Sequence, residues 1–344
     1  MGTKLGDIIQ AEPITLDDLR GRVIAIDAFN TLYQFLSTIR QPDGTPLMDR
    51  AGRVTSHLSG LFYRNLNLLE HGIRPVYVFD GESPLLKEPE KARRSAIREA
   101  ARHEWEQALR EGRIEDARKA ARASSRLTTE MIDESKRLLE ALGIPVIQAP
   151  SEGEALAAQM TRSGISWASA SQDNDSLLYN CPRMIRNLSI SGRRRVGRSR
   201  GYKIISPELI DLAANLRHLG ISLKQLIDIA ILIGTDYNDK VPGIGPKTAL
   251  KLVKQYGNLE AIEREKGIVL DFPYQEIRDI FLNPPQVEIP PLKWSPPSRD
   301  TLMDLLCTEH DFSESRVTSG LNRLESKLEE LEESAAQSSL MDFL

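Results

Sequence analysis

Short apolar runs alternate with amphipathic stretches through the first half of the chain. The runs that predict buried strands cover residues 23–26 (VIAI), 76–79 (VYVF), 143–147 (GIPVI) and 167–170 (WASA). Between them, segments such as 131–139 repeat apolar residues three and four positions apart, which is typical of an amphipathic helix. Strands that alternate with helices favour a mainly parallel sheet covered by helices on both faces.

The rest of the chain departs from this alternation. Residues 87–126 carry twelve Lys and Arg against eight Asp and Glu, and they predict either a basic helical arch or a solvated helical hairpin. Residues 192–203 form a basic loop that either lies against duplex phosphates or projects as a free tongue. From about residue 205 the pattern predicts an all-helical chain that ends in a flexible acidic tail, 329–344.

Composition narrows the class of protein. The chain has 344 residues, 40% hydrophobic and 27% charged, without a run of about 18 apolar residues, so we expect no membrane association. The two cysteines, Cys181 and Cys307, are far apart and lack metal-binding spacing. This cysteine usage indicates an intracellular location, either the cytoplasm of a prokaryote or the nucleus of a eukaryote.

Acidic residues follow the predicted strands at four places, where open α/β folds place their sites. A further aspartate follows an apolar helix predicted over residues 223–233. The seven carboxylates are those of Asp27, Asp80, Glu152, Glu154, Asp173, Asp175 and Asp236. The net charge is −4, so setting these seven aside leaves +3 on the rest of the molecule, which suits a nucleic-acid partner.

Seven carboxylates in one crevice would repel one another and raise one another's pKa. Divalent cations would remove this conflict, and an oxygen ligand set without His or Cys favours Mg²⁺, with Mn²⁺ as a substitute. Two such ions about 4 Å apart hold the attacking and leaving oxygens of a phosphodiester. The sequence therefore predicts a two-metal site for phosphodiester hydrolysis.

Each acidic residue also has a plain structural interpretation. An aspartate after a strand often caps a helix. Glu154 stands three residues after Ser151, as in a capping box, and Asp173 with Asp175 fits an Asx turn. Four such places at strand ends, joined by Asp236, favour the metal site over these interpretations.

These motifs resemble those of the flap endonuclease family, over residues 1–325 and the last eight residues. The matching segments are 23–36 (VIAIDAFNTLYQFL), 55–63 (TSHLSGLFY), 75–81 (PVYVFDG), 143–155 (GIPVIQAPSEGEA), 168–177 (ASASQDNDSL), 232–247 (LIGTDYNDKVPGIGPK) and 313–324. The resemblance implies a 5′ flap endonuclease, with 5′–3′ exonuclease activity, that cuts branched DNA in replication and repair. It also implies a monomer with two Mg²⁺ ions held by the seven carboxylates.

The resemblance implies roles for further residues. Lys87 and Arg94 of the arch would contact the scissile phosphate, and Tyr33 would stack on a base beside it. The residues that would hold DNA are Tyr33, Arg40, Arg64, Glu152, Gly234, Asp236, Gly243, Gly245 and Lys247. The turn at 241–247 (VPGIGPK) predicts a helix-hairpin-helix motif. The backbone amides of such a turn bind phosphate, and the resemblance implies that the turn also holds K⁺. Two residues depart from the family pattern: Asn174 replaces a bulkier residue, and Ser83 replaces a common proline.

The last eight residues (QSSLMDFL) place an apolar group at the end of a polar tail, which suits a groove on a partner. They resemble the peptide that docks on the sliding clamp (PCNA type), with Leu344 where an aromatic residue is usual. The residues that would dock are Gln337, Leu340, Phe343 and Leu344.

We therefore expect an α/β fold: a central, mainly parallel sheet flanked by helices, with a helical arch and a helix-hairpin-helix in a helical C-terminal half. The expected regions are an N-terminal nuclease region (1–98), the arch continuation and spacer (99–130), an internal nuclease region including the helix-hairpin-helix (131–258), a C-terminal helical region (259–328) and the tail (329–344). The alternative functions are a related nuclease for gaps, bubbles or four-way junctions, and a catalytically silent DNA-binding scaffold. A phosphatase is disfavoured because the segment after Asp27 lacks a second nearby carboxylate.

Overall fold

The computed structural model describes residues 3–190, 192–195 and 202–341. Within these ranges, one seven-stranded sheet has the order β1-β9-β6-β5-β2-β3-β4, and β7 and β8 pair separately. The pairs among β2 to β6 are parallel, whereas β9 is antiparallel to β6 and β1. The strands are β1 (Glu12–Pro13), β2 (Val23–Asp27), β3 (Arg74–Phe79), β4 (Val146–Gln148), β5 (Ala168–Ala170), β6 (Arg183–Arg186), β7 (Gly192–Arg195), β8 (Tyr202–Ile205) and β9 (Glu208–Asp211).

Helices cover both faces of this sheet. They are α1 (Ala28–Thr38), α2 (Ser56–Glu70), α3 (Glu88–Arg110), α4 (Ile114–Ala123), α5 (Thr129–Ala141), α6 (Gly153–Arg162), α7 (Asp175–Leu178), α8 (Leu212–Leu219), α9 (Leu223–Ile233), α10 (Pro246–Tyr256), α11 (Leu259–Lys266), α12 (Tyr274–Leu282), α13 (Arg299–Met303) and α14 (Glu314–Met341). Short 3-10 or π turns lie at Leu5–Asp7, Asp17–Leu19, Leu85–Lys87, Leu188–Ile190 and Asp304–Thr308. Every helix in the described ranges is too short or too polar to cross a lipid bilayer.

The central strands are apolar on both faces because each face is covered. In β2, Ile24 and Ile26 join the core formed with α1, α2, α5 and α14, whereas Ala25 joins the core beneath α6. In β3, Tyr77 and Val78 divide between the same two cores. A strand that is buried on both faces has apolar residues at consecutive positions. This pattern in the sequence predicted these two strands.

A proline-rich strap, residues 283–298, completes the cover on the α6 side of the sheet. Trp294 donates its indole N–H to the carbonyl oxygen of Pro75 at 2.8 Å, and the Arg74 guanidinium lies 4.0 Å from its ring centroid. Val287 and Leu292 of the strap pack on the same core. Since Pro75 is in β3, the strap fixes one of the strands that lead into the acidic edge.

The four predicted strands are present as β2, β3, β4 and β5, and the sheet is mainly parallel as expected. The expectation of an all-helical chain from about residue 205 is wrong at one place. There β9 (Glu208–Asp211) joins the sheet edge, because its backbone completes ladders with β6 and β1. The sequence regions 1–98 and 131–258 both supply strands to this one sheet.

The basic segment predicted at 87–126 forms two packed helices, α3 and α4. At the other end of the chain, α14 runs without a break through the sequence boundary at 328 and 329. It packs on α2 at Gly320, where a Cβ would stand 2.7 Å from Leu66 Cδ1. The expected start of the tail therefore does not coincide with a helix end.

Candidate active site

The acidic residues lie at the carboxyl end of the parallel strands. Asp27 is the last residue of β2, and Asp80 directly follows β3. The other acids follow β4 and β5 or the helix α9: Glu152, Glu154, Asp173, Asp175 and Asp236. Parallel strands place these ends at one edge, so residues that are up to 209 positions apart in sequence meet there.

Asp27 both caps a helix and faces other carboxylates. Its Oδ1 accepts a hydrogen bond of 3.0 Å from the backbone N–H of Asn30, which caps α1. The Asn30 amide then donates to Asp173 Oδ2 at 2.9 Å. Burial raises the pKa of Asp27 well above its ordinary value, and the neighbouring Asp80 and Asp173 raise it further.

Asp80 is held at the N-terminus of α6. Its Oδ1 accepts the backbone N–H of Gly153 at 2.8 Å, a favourable place for a carboxylate. Burial raises the pKa of Asp80 to about 6, with the charge of Glu152 as the next cause. Close packing fixes this corner, because a Cβ on Gly81 would stand 2.2 Å from the carbonyl oxygen of Ala149.

Glu154 and Asp175 are buried with other carboxylates beside them. Glu154 does not form the capping box with Ser151, since α6 has no side-chain cap. Its Oε1 instead accepts the hydroxyl of Ser171 at 2.9 Å. Burial, followed by the charge of Asp175, raises the pKa of Glu154 well above its ordinary value. Burial also raises the pKa of Asp175 to about 6, with Asp236 as the next cause.

Two cationic side chains of the arch reach the same acids. The Lys87 ammonium donates to Glu152 and lies 3.3 Å from Asp236 Oδ2, and Arg94 donates to Asp236 Oδ1. Glu90, one turn before Arg94, accepts from its Nε at 2.8 Å. Burial lowers the pKa of Lys87, but the charges of Glu152 and Asp236 outweigh burial and leave this pKa raised.

The donor set fits a hard divalent cation. In the ranges that the structure describes, no three Asp, Glu, His or Cys side chains stand close enough to enclose one ion in the present side-chain positions. The seven acidic residues nevertheless offer carboxylate oxygens as ligands. Four of these carboxyl groups have pKa values raised by burial and mutual repulsion: Asp27, Asp80, Glu154 and Asp175. Such a concentration of negative charge is stabilised by Mg²⁺ or Mn²⁺.

Of the residues expected to hold DNA, Tyr33 lies beneath the arch, where the Arg98 guanidinium stands 4.7 Å from its ring centroid. The Arg40 side chain instead bonds within the protein, donating to the carbonyl oxygens of Leu36 and Gly44 and to the Ser125 hydroxyl, each at 2.8 Å. Arg64 is on α2, half-buried, and burial lowers the pKa of its guanidinium. The structure therefore places Tyr33 against the arch and gives Arg40 a role in joining elements.

The predicted helix-hairpin-helix lies between α9 and α10. Gly234 ends α9 with a φ of +94°, and Gly243 has a φ of +76°, both in the region that favours glycine. Gly245 is the N-cap residue of α10, and Lys247 in its first turn is exposed. Asp236 stands in the same connection, so this turn is joined directly to the acidic edge.

Of the residues predicted to bind a sliding clamp, Phe343 and Leu344 lie outside the described residues. Gln337 and Leu340 are within α14.

Several residues at the site had no signal in the sequence. Asn30 and Ser171 hold Asp173 and Glu154, and Thr3 bonds to Asp175. The Arg98 guanidinium lies over the Tyr33 ring, a contact between α3 and α1 that no sequence spacing indicates. These polar contacts depend on long-range packing. The position of Asn30 three residues after Asp27 is typical of a helix cap, but it indicates only the bond between these two residues and not the bond to Asp173.

Comparison with known proteins gives consistent matches along the chain. The XPG N-terminal domain matches residues 4–101, and the XPG I-region matches residues 143–236. Flap endonuclease 1 of Staphylothermus marinus is 52% identical over 333 residues, covering 94% of each chain. The two matched domains include all seven carboxylates.

Solved structures agree with this assignment. The structure of flap endonuclease-1 from Methanococcus jannaschii covers 96% of this chain and 99% of its own, with a TM-score of 0.75 and 41% identity. The catalytic core of Rad2 in complex with DNA substrate covers 94% and 100%, with a TM-score of 0.71 and 26% identity. Identity near one half over nearly the whole length, together with the similar fold, shows that the chain belongs to the flap endonuclease family of structure-specific nucleases.

Proposed function

We propose that this nuclease holds two divalent cations, Mg²⁺ in preference to Mn²⁺, at the acidic edge of the sheet. The observation that supports the proposal is the meeting of seven carboxylates at one edge, beneath two cations of the arch. The proposed ligands are Asp27, Asp80, Glu152, Glu154, Asp173, Asp175 and Asp236. When bound, the two ions activate water and neutralise charge that develops on a phosphodiester.

The residues of the chain itself would bind and orient the substrate. Lys87 and Arg94 are proposed to turn from Glu152 and Asp236 to the scissile phosphate, since both already stand at the site. Tyr33 is proposed to stack on a base next to the cut, in the place where Arg98 now lies over its ring. The arch would hold a single strand by charge, without reading its sequence.

The proposed substrate is DNA with a 5′ flap, cut where the flap leaves the duplex, with exonuclease cutting from a 5′ end as a second activity. The helix-hairpin-helix turn would bind a duplex phosphate through the amides at Gly243 and Gly245, near an exposed Lys247, and the turn would also hold K⁺. Arg64 would bind duplex nearby. A relative of similar fold, Rad2, was solved with DNA substrate.

We further propose that the protein acts as a monomer and is recruited by a sliding clamp of the PCNA type. One chain supplies all seven carboxylates and both arch cations, so a second copy adds nothing to the proposed site. The clamp would bind the last eight residues, whose apolar positions follow a polar tail.

The proposal is tested with a double-flap DNA that carries a label on the flap. We expect cutting at the junction in Mg²⁺ and none after chelation. The substitution Asp173→Ala should abolish cutting while DNA binding, measured by fluorescence anisotropy, persists. A matched control is Asp133→Ala, which removes an exposed aspartate of α5 and should leave cutting unchanged.

Two results would count against the proposal. Tight binding without cutting under any divalent metal would favour a DNA-binding scaffold. Equal cutting by the Asp173→Ala variant and the native protein would remove Asp173 from the metal ligands.

A further inference from the structure

Thr3 is tied to one of the proposed metal ligands across 172 positions of sequence. Its backbone N–H and its hydroxyl both donate to Asp175 Oδ1, at 2.8 Å and 2.6 Å. Both residues are buried, with 2% of Thr3 and 7% of Asp175 exposed. The two bonds are therefore shielded from water, which strengthens them relative to an exposed pair.

The segment that carries Thr3 is itself fixed. Leu5, Ile8 and Ile9 are buried in the core that contains α9 and α10. The backbone of Leu5 also donates to the carbonyl oxygen of Thr3 at 2.8 Å. Thr3 is thus presented to Asp175 by a packed turn of chain.

Asn174, the neighbour of Asp175 in sequence, adds a third hydrogen bond that holds Thr3 beside Asp175. Its side-chain amide donates to the carbonyl oxygen of Thr3 at 3.0 Å, and 7% of the residue is exposed. A carbonyl oxygen can only accept, so the Nδ2 end of this amide must face Thr3. The side chain of the residue next to Asp175 therefore anchors the N-terminal segment.

The two donors act on one oxygen of the carboxylate. A carboxylate that accepts two bonds at Oδ1 cannot rotate freely about its Cβ–Cγ bond, so the direction of Oδ2 is fixed. Hydrogen bonds of this kind orient the ligands of metal sites, and their loss costs about 10- to 100-fold in metal affinity or activity.

We propose that Thr3 is a positioning residue that orients Asp175 for a divalent cation through its hydroxyl. The inference rests on the proposed function, in which Asp175 is a metal ligand. Its proposed effect on the reaction is exerted through Asp175. It follows that residues at the very start of the chain help to set metal affinity.

The test compares Thr3→Val, which has nearly the same shape but no hydroxyl, with Thr3→Ser, which keeps the donor. Binding of Mn²⁺ to the full-length, DNA-free protein is measured by electron paramagnetic resonance of the free ion. We expect Thr3→Val to weaken Mn²⁺ binding about tenfold, whereas Thr3→Ser should bind Mn²⁺ nearly as the native protein does. At a fixed, sub-saturating metal concentration, kcat on flap DNA should fall while KM for DNA stays the same.

Thr161→Val is the matched control, since Thr161 is 3% exposed and its hydroxyl donates to the carbonyl oxygen of Ala157, away from the acids. It should bind Mn²⁺ as the native protein does. Native Mn²⁺ affinity in a folded Thr3→Val variant overturns the inference. An Asp175→Asn variant separates the two proposals: if it too binds Mn²⁺ normally, Asp175 is not a ligand and the proposed ligand set fails first. If Thr3→Val does not fold, Thr3→Ala takes its place, since it also removes the hydroxyl but puts no second methyl group against the carboxylate. Native Mn²⁺ affinity in Thr3→Ala overturns the inference equally.

Discussion

Asp27 shows that two interpretations of one residue need not exclude each other. It caps α1 through the N–H of Asn30 at 3.0 Å, as an aspartate after a strand often does. It also faces Asp80 and Asp173, and burial with these charges raises its pKa. Because α1 begins directly after β2, the residue that caps α1 is also the last residue of β2. Asp27 therefore caps the helix and lies at the acidic edge of the sheet.

The position of Lys87 leads to a prediction about rate. Its ammonium lies 3.3 Å from Asp236 and also bonds to Glu152, at the place proposed for the scissile phosphate. A preorganised cation at developing negative charge typically contributes about 10²- to 10³-fold in rate. We expect Lys87→Ala to lower the single-turnover cutting rate by about this factor, with DNA affinity nearly unchanged.

Lys91, on the arch helix α3 that directly follows Lys87, offers a control for this prediction. It lies one turn further on, is partly exposed and pairs with Glu88 at 2.9 Å. Lys91→Ala should retain nearly the full cutting rate. If both variants slowed equally, the effect would come from the total charge of the arch rather than from contact with phosphate.

Gly81 leads to a prediction about stability and geometry together. A Cβ there would stand 2.2 Å from the oxygen of Ala149 and 2.7 Å from the backbone of Pro150, so the chain must move. We expect Gly81→Ala to lower the free energy of unfolding by about 1–3 kcal/mol and to slow cutting, because the adjacent Asp80 is displaced. Denaturant unfolding and a cleavage assay measure the two effects.

Gly6→Ala is the companion variant, since its Cβ would meet Arg186 at an ordinary 3.6 Å. It should cost much less stability. If the Gly81→Ala protein were as stable and as active as the native one, the backbone around Ala149 and Pro150 would have to shift at little energetic cost.

At the scale of elements, a buried polar network joins three parts of the fold. Glu134 of α5 lies 3.0 Å from His57 Nε2 on α2 and 3.2 Å from His310 Nε2, which precedes α14. His310 Nδ1 in turn lies 3.2 Å from Asp49, and both histidines are buried. Charge in this network therefore couples α2, α5 and the approach to α14.

Because of its pKa shifts, this network contributes most to the free energy of unfolding within a limited range of pH. Burial raises the pKa of Glu134, but hydrogen bonds from His310 and His57 outweigh burial and lower it to about 2, from an ordinary 4.5. Its contribution is present above pH 4.5 and is lost as the pH falls towards 2. The hydrogen bond to Glu134 raises the pKa of His310 above its ordinary 6.5. That contribution is present below pH 6.5 and is lost as the pH rises through the raised value.

We therefore predict that Glu134→Gln lowers the free energy of unfolding most between about pH 5 and pH 6.5, by about 3 kcal/mol. The difference from the native protein should shrink on both sides of this window. Denaturant unfolding of both proteins at several pH values measures it, with Glu140→Gln, an exposed residue of α5, as the control. A difference that does not change with pH would show that these charges are not linked to folding.

The success of sequence-based prediction differed between elements for physical reasons. β2 and β3 were predicted because burial on both faces leaves long apolar runs. β9 (Glu208–Asp211) was missed because an edge strand is specified by backbone pairing with β6, and only part of its surface is buried. The helices α9 and α5 were predicted from their periodicity, and the division of the chain into regions stays a proposal.

At the scale of the whole molecule, the site is assembled from the start of the chain to residue 236. The candidate ligands could be predicted because each follows an apolar strand or helix. The groups that hold them could not, since Thr3 with Asp175 and Ser171 with Glu154 meet only after the sheet has formed. A net charge of −4 similarly conceals a basic arch, because the balancing acids are gathered at one edge.

The last eight residues lead to a prediction about binding to the clamp, with no expected effect on the cutting reaction itself. The described part of α14 is anchored by Leu321 and Leu324, both fully buried and far from the last eight residues. Removing residues 337–344 should therefore leave the fold and the cutting of isolated flap DNA unchanged. Binding to a PCNA-type clamp, measured by surface plasmon resonance, should weaken by more than about tenfold, because buried apolar anchors dominate such interfaces.

Point variants distinguish a docking peptide from a general effect of shortening. Phe343→Ala should weaken clamp binding nearly as much as the truncation, whereas Ser338→Ala, at a position between the anchors, should bind as the native protein does. If the truncated protein bound the clamp normally, recruitment would have to use the folded body. If the truncation slowed cutting of isolated DNA, the tail would instead belong to the substrate site, and recruitment and catalysis would not be separable in this chain.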